Sequence, residues 1–182
     1  MRTETLPNPH RWWRIASPLW TDALDPCYAQ RRGGRWNPPE SFPTLYFNED
    51  VVTARLNLRL FISGWPYEPE DLRDQTGPLL VGAKLPRNQR VADVHSREGV
   101  AAVGLPASYP LDGSGNLVPH SRCQPIGQRA KDRGLRGVRC RSARAQDGGC
   151  RELAWFPATA RSRARQTEVI RFERWFWGSE ST

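Results

Sequence analysis

The densest group of chemically capable side chains is the stretch 30–39, which reads Gln-Arg-Arg-Gly-Gly-Arg-Trp-Asn-Pro-Pro. Paired glycines let a backbone turn tightly and approach a ligand closely, and arginine guanidiniums are fork-shaped donors suited to phosphate oxygens. Trp36 adds a flat aromatic face, and Tyr46 follows on the next predicted strand. Such residues can hold a dinucleotide, with arginine on the pyrophosphate and rings against a base. A basic loop with Trp36 packed in the core explains the same pattern, and the residues alone leave both interpretations open.

Short strands and a few helices are predicted around this stretch. Residues 25–43 contain four prolines and two adjacent glycines, which indicates a structured loop. The segment 48–50 (Asn-Glu-Asp) is typical of a helix start, and apolar residues follow at helical spacing until Gly64. The other predicted strands are 11–16, 44–47, 79–85, 90–94, 137–142, 152–156 and 167–177, and the other helices are 96–103 and 121–133. This mixture predicts an α+β fold.

The bulk composition fits a single domain over residues 1–182. The formal charge is +8 and is carried almost entirely by arginine, which admits nucleic acid as a ligand, although the basic tracts 129–144 and 161–165 contain no recognised nucleic-acid-binding motif. No apolar run approaches the roughly 20 residues of a membrane span, and the N-terminal residues show no apolar run flanked by basic residues, which predicts a cytoplasmic protein. The cysteines and histidines show no spacing typical of a metal site.

The stretch 28–39, followed by Phe42-Pro-Thr-Leu-Tyr46, resembles the signature of RES-domain proteins. Their pattern is a GGRWN turn, a short spacer, a Tyr-bearing strand and then a helix. Segments resembling the family's first strand (13–15), mid-chain helix (97–105) and Ser-bearing strand (137–143) extend the likeness over about residues 11–157. The resemblance implies a fold similar to that of ADP-ribosyltransferases, with a mixed, mostly antiparallel sheet and short helices.

The same resemblance implies an enzyme that destroys NAD by hydrolysis or phosphorolysis of its nicotinamide–ribose bond. The Arg, Tyr and Ser of the family's site fall on Arg35, Tyr46 and Ser142, with Ser142 expected to bind the nicotinamide ribose. Arg14, on the family's first strand, is expected to bind a phosphate, and Trp36 to lie against the substrate. The resemblance implies NAD as substrate, and because arginine side chains can neutralise its pyrophosphate, no metal or other cofactor is implied.

The family's catalytic Glu is missing, because Asn57 stands at its helix position. Cleavage leaves oxocarbenium character on the ribose, which a carboxylate stabilises and an amide does not. Asn57 keeps a hydrogen-bonding group for binding, and Glu152 lies near the place where the family often carries an Asn. We therefore expect an exchange of roles if both residues line one pocket. The alternative is that Glu152 begins a strand and faces solvent, paired with an arginine.

Two functions from different classes follow from these observations. The first is an NAD glycohydrolase or NAD phosphorylase acting as a toxin and neutralised by a cognate antitoxin. The second is a catalytically weak RES-like domain that binds NAD or a protein partner without turnover. The family resemblance further implies a homodimer within a toxin–antitoxin complex, contact with nucleic acid only through the antitoxin, and no membrane association.

Overall fold

The computed structural model describes residues 1–145, 149–159, 161 and 163–178, and its centre is one eight-stranded sheet. The strands are β1 (Thr3–Thr5), β2 (Trp12–Ala16), β3 (Leu45–Asn48), β4 (Leu79–Lys84), β5 (Arg90–Val94), β6 (Gly137–Arg141), β7 (Arg151–Trp155) and β8 (Arg165–Ile170). Their order across the sheet is β1-β5-β6-β7-β3-β2-β4-β8. Neighbours are antiparallel except β5 and β6, which run parallel. The predicted α+β class and mostly antiparallel sheet are confirmed.

The helices pack on this sheet in two groups. They are α1 (Cys27–Arg32), α2 (Val51–Ile62), α3 (Arg97–Ala102), α4 (His120–Asp132) and α5 (Phe172–Phe176), with a short 3₁₀ turn at Pro69–Asp71. Buried side chains of α3 and α4 pack against β5, β6 and β7. Those of α2 and α5 pack against Leu80 of β4 and against the half-buried Trp13 and Ile15 of β2. Apolar burial of this kind is the main stabilising term of the fold.

Helix α2 forms where the sequence predicts it. Asp50 is its N-cap, and its carboxylate accepts a hydrogen bond of 2.6 Å from the backbone N–H of Thr53. This bond satisfies one of the backbone donors that a helix leaves unpaired at its start. The buried side chains of Leu58 and Ile62 anchor one face of the helix on the sheet. Asn57, which lies in this helix next to Leu58, is therefore held in a fixed position relative to the sheet.

The pairing of β3 with β7 sets up the site. Asn48, the last residue of β3, lies opposite Glu152 of β7, and Glu152 in turn lies opposite Cys140 of β6. Because side chains alternate between the two faces of a strand, this register decides which face receives Glu152.

Three predicted elements differ from the structure. Residues 25–43 are not wholly a loop, since they contain α1, whose Ala29 is buried. The predicted strand 167–177 divides into β8 and α5, because Phe172, Trp175 and Phe176 have the i, i+3, i+4 spacing of a helix and are all buried. The edge strand β1 was not predicted, because three residues are too short to show a periodic pattern.

Gly127 of α4 offers a test of the packing between this helix and the 33–37 turn. A Cβ atom at this position would lie 1.7 Å from the backbone oxygen of Trp36. Backbone cannot move aside as a flexible side chain can, so we expect Gly127→Ala to lower the free energy of unfolding by about 3 kcal/mol. Gly113→Ala is the control, because nothing lies within 4 Å of its Cβ position. Urea denaturation of both variants checks this, and equal stabilities would show that α4 does not pack against the turn as described.

Candidate functional site

A cleft opens beside the ends of the central strands and consists of two adjoining cavities of about 580 and 390 Å³. Five residues line both cavities and therefore mark their junction: Ile15, Trp20, Arg35, Asn57 and Glu152. A guanidinium, an amide and a carboxylate thus meet between aromatic and apolar walls. Concave, mostly apolar sites with a few convergent polar groups are typical of small-molecule binding.

Glu152 is held at this junction by neutral hydrogen-bond donors. Its Oε1 accepts from Asn57 Nδ2 at 2.9 Å and from the Ser142 hydroxyl at 2.6 Å. Among the described residues its carboxylate forms no ion pair with an arginine. Glu152 and Asn57 therefore line one cleft and contact each other directly, and the alternative of a solvent-facing Glu152 paired with arginine is not what the structure shows.

Asn48 completes this cluster and was not anticipated from the sequence. Its Oδ1 accepts from Asn57 Nδ2 at 2.5 Å, while its own Nδ2 donates to the carbonyl of Trp13 at 3.2 Å. The only sequence signal for Asn48 was a polar residue at a strand end, where it was read as part of a helix start. The contact fixes the amide of Asn57 so that its nitrogen faces Asn48 and Glu152.

Ser142 differs in role from the sequence prediction. Its side chain is completely buried, and its hydroxyl donates to Glu152, 3.2 Å from Asn57 Oδ1. The backbone N–H of Arg144 donates to the same hydroxyl oxygen at 3.1 Å. The hydroxyl therefore contacts the Glu152 carboxylate, and Ser142 lines neither cavity, whereas a contact with a ribose was expected. This hydrogen bond holds Glu152 in position.

Arg35 reaches the cleft from the turn that the sequence singled out. Its Nη1 donates to the carbonyl of Val118 at 2.8 Å, and Gln124 of α4 donates to the neighbouring carbonyl of Gly34 at 3.0 Å. These two bonds tie the turn to the start of α4. Arg35 is half-buried and lines both cavities.

Trp36 does not lie in the cleft, which corrects the expectation that its ring contacts the substrate. Only 1% of the residue is exposed, and its indole Nε1 donates to Cys140 Sγ at 3.3 Å. The ring packs near Tyr109 in the core formed with α3 and α4. A large apolar ring is stabilised more by complete burial than by a position in a solvated pocket wall. Of the two interpretations, the one with Trp36 packed in the core is therefore correct.

Tyr46 lines the smaller cavity, but its hydroxyl is occupied. It donates to Asn37 Oδ1 at 2.7 Å and accepts from the backbone N–H of Trp36 at 3.0 Å. Burial raises the pKa of the phenol well above its ordinary value, so it remains protonated at neutral pH. A Cβ on Gly34 would fall within 3 Å of the Tyr46 ring, which explains why glycine occupies this position. Tyr46 therefore locks the turn that carries Arg35.

Arg14 provides a second cation in the smaller cavity. It is almost fully buried, and among the described residues its Nε has no hydrogen-bond partner. Its Nη1 contacts the carbonyl of Tyr46 at 3.4 Å. Burial lowers the pKa of Arg14 to about 10, with Asp25 and Asp22 acting in the opposite direction, so the guanidinium stays charged at neutral pH. A buried, charged donor without a partner is what an anion-binding position requires.

Part of the basic tract 129–144 serves the fold itself. Arg139 is buried and forms ion pairs with Glu4 and Glu49. Arg141 donates to three backbone carbonyls, those of His95, Ala107 and Tyr109. These two arginines are therefore engaged internally.

One group of potential metal ligands lies outside the cleft. Ligand atoms of Glu4, Asp93 and His95 lie within 4.8 Å of one another. His95 contacts Glu4 at 2.8 Å and Asp93 at 3.6 Å, and Glu4 also pairs with Arg139 at 3.0 Å. The cluster ties β1 to β5 and β6, and it shares no residue with either cavity of the cleft.

The fold and the cleft together define a mixed α+β domain with a cleft lined by arginine and carboxylate side chains. The family model described as RES domain matches residues 11–177, so the chain belongs to the RES-domain family. It is also similar in structure to a chain of the M. tuberculosis MbcT–MbcA toxin–antitoxin complex, with a TM-score of 0.73 and 20% identity, over 95% of this chain and 92% of that one. At this identity the likeness shows a common fold. A comparison with curated proteins found no match. In the part of the chain that the structure describes, no helix is long and apolar enough to cross a membrane.

Removal of the Tyr46 hydroxyl tests its structural role. We expect Tyr46→Phe to lower the free energy of unfolding by about 1–3 kcal/mol, because Asn37 Oδ1 and the Trp36 N–H lose a buried partner. Tyr28→Phe is the matched control, since Tyr28 is 54% exposed, and its change should stay within about 0.5 kcal/mol. Thermal and urea denaturation measure both. Unchanged stability of Tyr46→Phe together with lost ligand binding would instead assign the hydroxyl to the substrate.

Proposed function

We propose that this protein cleaves the nicotinamide–ribose bond of NAD, with Glu152 supplying the carboxylate that the family elsewhere places on the helix. The observation that carries the proposal is the contact of Glu152 with Asn57 at the junction of the cleft, beside Arg35. The Glu152 carboxylate lies within hydrogen-bond distance of Asn57, the helix residue that stands where the family has Glu. An exchange of the two residue types therefore keeps one negative charge in this part of the cleft.

The chemistry requires charge stabilisation more than proton transfer. As the bond between ribose C1′ and nicotinamide nitrogen breaks, its electron pair leaves with nicotinamide, and C1′ gains positive character. The Glu152 carboxylate is suited to stabilise that charge and to orient the acceptor. Water adding to C1′ gives ADP-ribose and a proton, and phosphate adding there gives the 1-phosphate of ADP-ribose. Either acceptor is consistent with the cleft.

The two arginines supply the complementary charge for the substrate's pyrophosphate. Arg14 and Arg35 both line the smaller cavity, and Arg14 Nε lacks a partner among the described residues. Guanidiniums bind phosphate oxygens in forked, charge-assisted pairs. No metal is needed to neutralise the pyrophosphate in this arrangement.

The second candidate is a RES-like domain that binds NAD without efficient turnover. It is favoured by the hydrogen bonds that occupy Glu152, since Asn57 and Ser142 both donate to the same Oε1. Hydrogen bonds to a carboxylate lower its ability to stabilise a nearby cation. This candidate keeps the same ligand and the same arginines, and it differs from the first only in rate.

We further propose that a cognate antitoxin neutralises the protein in the cytoplasm by closing the cleft, and that the protein acts as a homodimer within that complex. The support is membership of the RES-domain family and the shared fold with a chain of a toxin–antitoxin complex. Any contact with nucleic acid would then be made by the antitoxin. Light scattering of the chain alone and with its genetic neighbour checks this, and a monomer in both samples contradicts the dimer.

Loss of NAD over time, with and without phosphate, tests the enzyme. We expect Glu152→Gln and Arg35→Ala each to lower kcat/KM by at least about 100-fold, since one removes transition-state charge and the other a ligand for pyrophosphate. Arg32→Ala is the control for Arg35→Ala, because Arg32 is exposed on α1 and lines neither cavity. Wild-type protein that binds NAD but leaves it intact favours the second candidate.

An exchange of the two residues tests the position of the carboxylate. We expect Asn57→Glu to lower activity, because two carboxylates within about 3 Å cannot both ionise freely. The double variant Asn57→Glu with Glu152→Asn should recover at least about 10-fold over the Asn57→Glu variant, since it restores one carboxylate and one amide. Product assay with purified variants measures this. An Asn57→Glu variant more active than wild type contradicts the exchange of roles.

A further inference from the structure

A cluster of aromatic side chains lies at the end of α2, on the wall of the larger cavity. Phe61 and Trp65 have ring centroids 5.5 Å apart, and Trp65 and Tyr67 meet edge to face at 5.3 Å. All three residues line the same cavity as Arg35, Asn57 and Glu152. Phe61 is 57% exposed and Trp65 49% exposed. Phe61 and Trp65 therefore present apolar ring surface to the solvent within the cleft, while Tyr67 is half-buried against the core of α2 and α5.

The position of the cluster along α2 sets its distance from the carboxylate. Phe61 follows Asn57 by one helical turn, about 6 Å along the helix axis. Trp65 follows after a further turn, in a segment whose backbone N–H bonds back to the carbonyl of Ile62 at 2.8 Å. The cavity thus runs from the carboxylate toward the rings.

Two cations line this cavity. Arg35 lines both cavities at the junction with Glu152. Arg144 lines the larger cavity, and its Nη1 donates to the carbonyl of Leu60 at 3.2 Å, next to Phe61 in the chain. The larger cavity therefore offers a carboxylate, guanidiniums and flat aromatic faces. A dinucleotide carries the complementary groups: a cationic ribose at the reacting end, a pyrophosphate and a second base.

We propose that Phe61, Trp65 and Tyr67 form a subsite that stacks the adenine ring of the dinucleotide. This inference rests on the proposed function, because that function places the nicotinamide ribose at Glu152 and the pyrophosphate beside Arg35 at the junction, from which the adenylate half can enter the larger cavity. Stacking of a base on aromatic side chains contributes enough to change affinity by one to two orders of magnitude, and it covers ring surface otherwise left in water. The subsite selects a dinucleotide over a nicotinamide mononucleotide.

Two substrates that differ only by the adenylate half test the subsite. Wild-type protein should cleave NAD with a higher kcat/KM than nicotinamide mononucleotide. Trp65→Ala should lower kcat/KM about 10- to 100-fold for NAD, mainly through KM, and leave the value for nicotinamide mononucleotide within about twofold. Trp65→Phe should retain most of the NAD value. Trp177→Ala is the matched control, since Trp177 is 44% exposed and lies outside both cavities.

Equal loss for both substrates, or no loss for NAD, would overturn the inference. If the wild-type protein cleaves neither substrate, the proposed catalysis fails, and binding of AMP by calorimetry decides about the subsite alone. AMP affinity lowered at least about 10-fold by Trp65→Ala, but unchanged by Trp177→Ala, supports the adenine subsite in that case. The adenine subsite would be overturned if the wild-type protein does not bind AMP, or if the Trp65→Ala and Trp177→Ala variants bind AMP with equal affinity.

Discussion

The register between β3 and β7 is the constraint on which the rest of the site depends. It sets Asn48 opposite Glu152, and the side chains of Asn57 and Ser142 then converge on the carboxylate. A slip by one residue would turn Glu152 to the other face of the sheet and leave these donors without their acceptor. Because neutral groups hold the carboxylate, no arginine among the described residues forms an ion pair with it, and its negative charge remains available in the cleft.

The 33–37 turn sets the position of Arg35. The hydroxyl of Tyr46 bridges Trp36 and Asn37, Gln124 holds the carbonyl of Gly34, and the Trp36 ring fills the core beneath the turn. Trp36 and Tyr46, which the sequence suggested as ligand contacts, thus hold the turn in place. Arg35 therefore extends into the cleft from a backbone that is held by several hydrogen bonds. Such a backbone would lose less conformational entropy when a ligand binds.

Much of the fold was predictable because it follows local patterns. The helix start at 48–50 and the apolar spacing of α2 are read within a few residues, and α2 lies where expected, as does β2 within the predicted strand 11–16. The last segment was misjudged, since an aromatic run is compatible with a strand as well as with the helix that buries Phe172, Trp175 and Phe176. The exchange of Asn57 for Glu152 was proposed from the family's pattern, but their contact depends on strands distant in the chain.

The sequence by itself determined the residue types available to the site, the approximate elements and the family resemblance. Tertiary structure alone decided which of those residues face the cleft. Trp36 and Trp65 show the difference, because the same side chain is buried in the core at one position and half exposed in the cleft at the other. Exposure depends on contacts made across the sheet, such as that of Trp36 with Cys140, and these link residues more than a hundred positions apart. No local pattern records such contacts, whereas periodicity and capping act between neighbours and can be read directly.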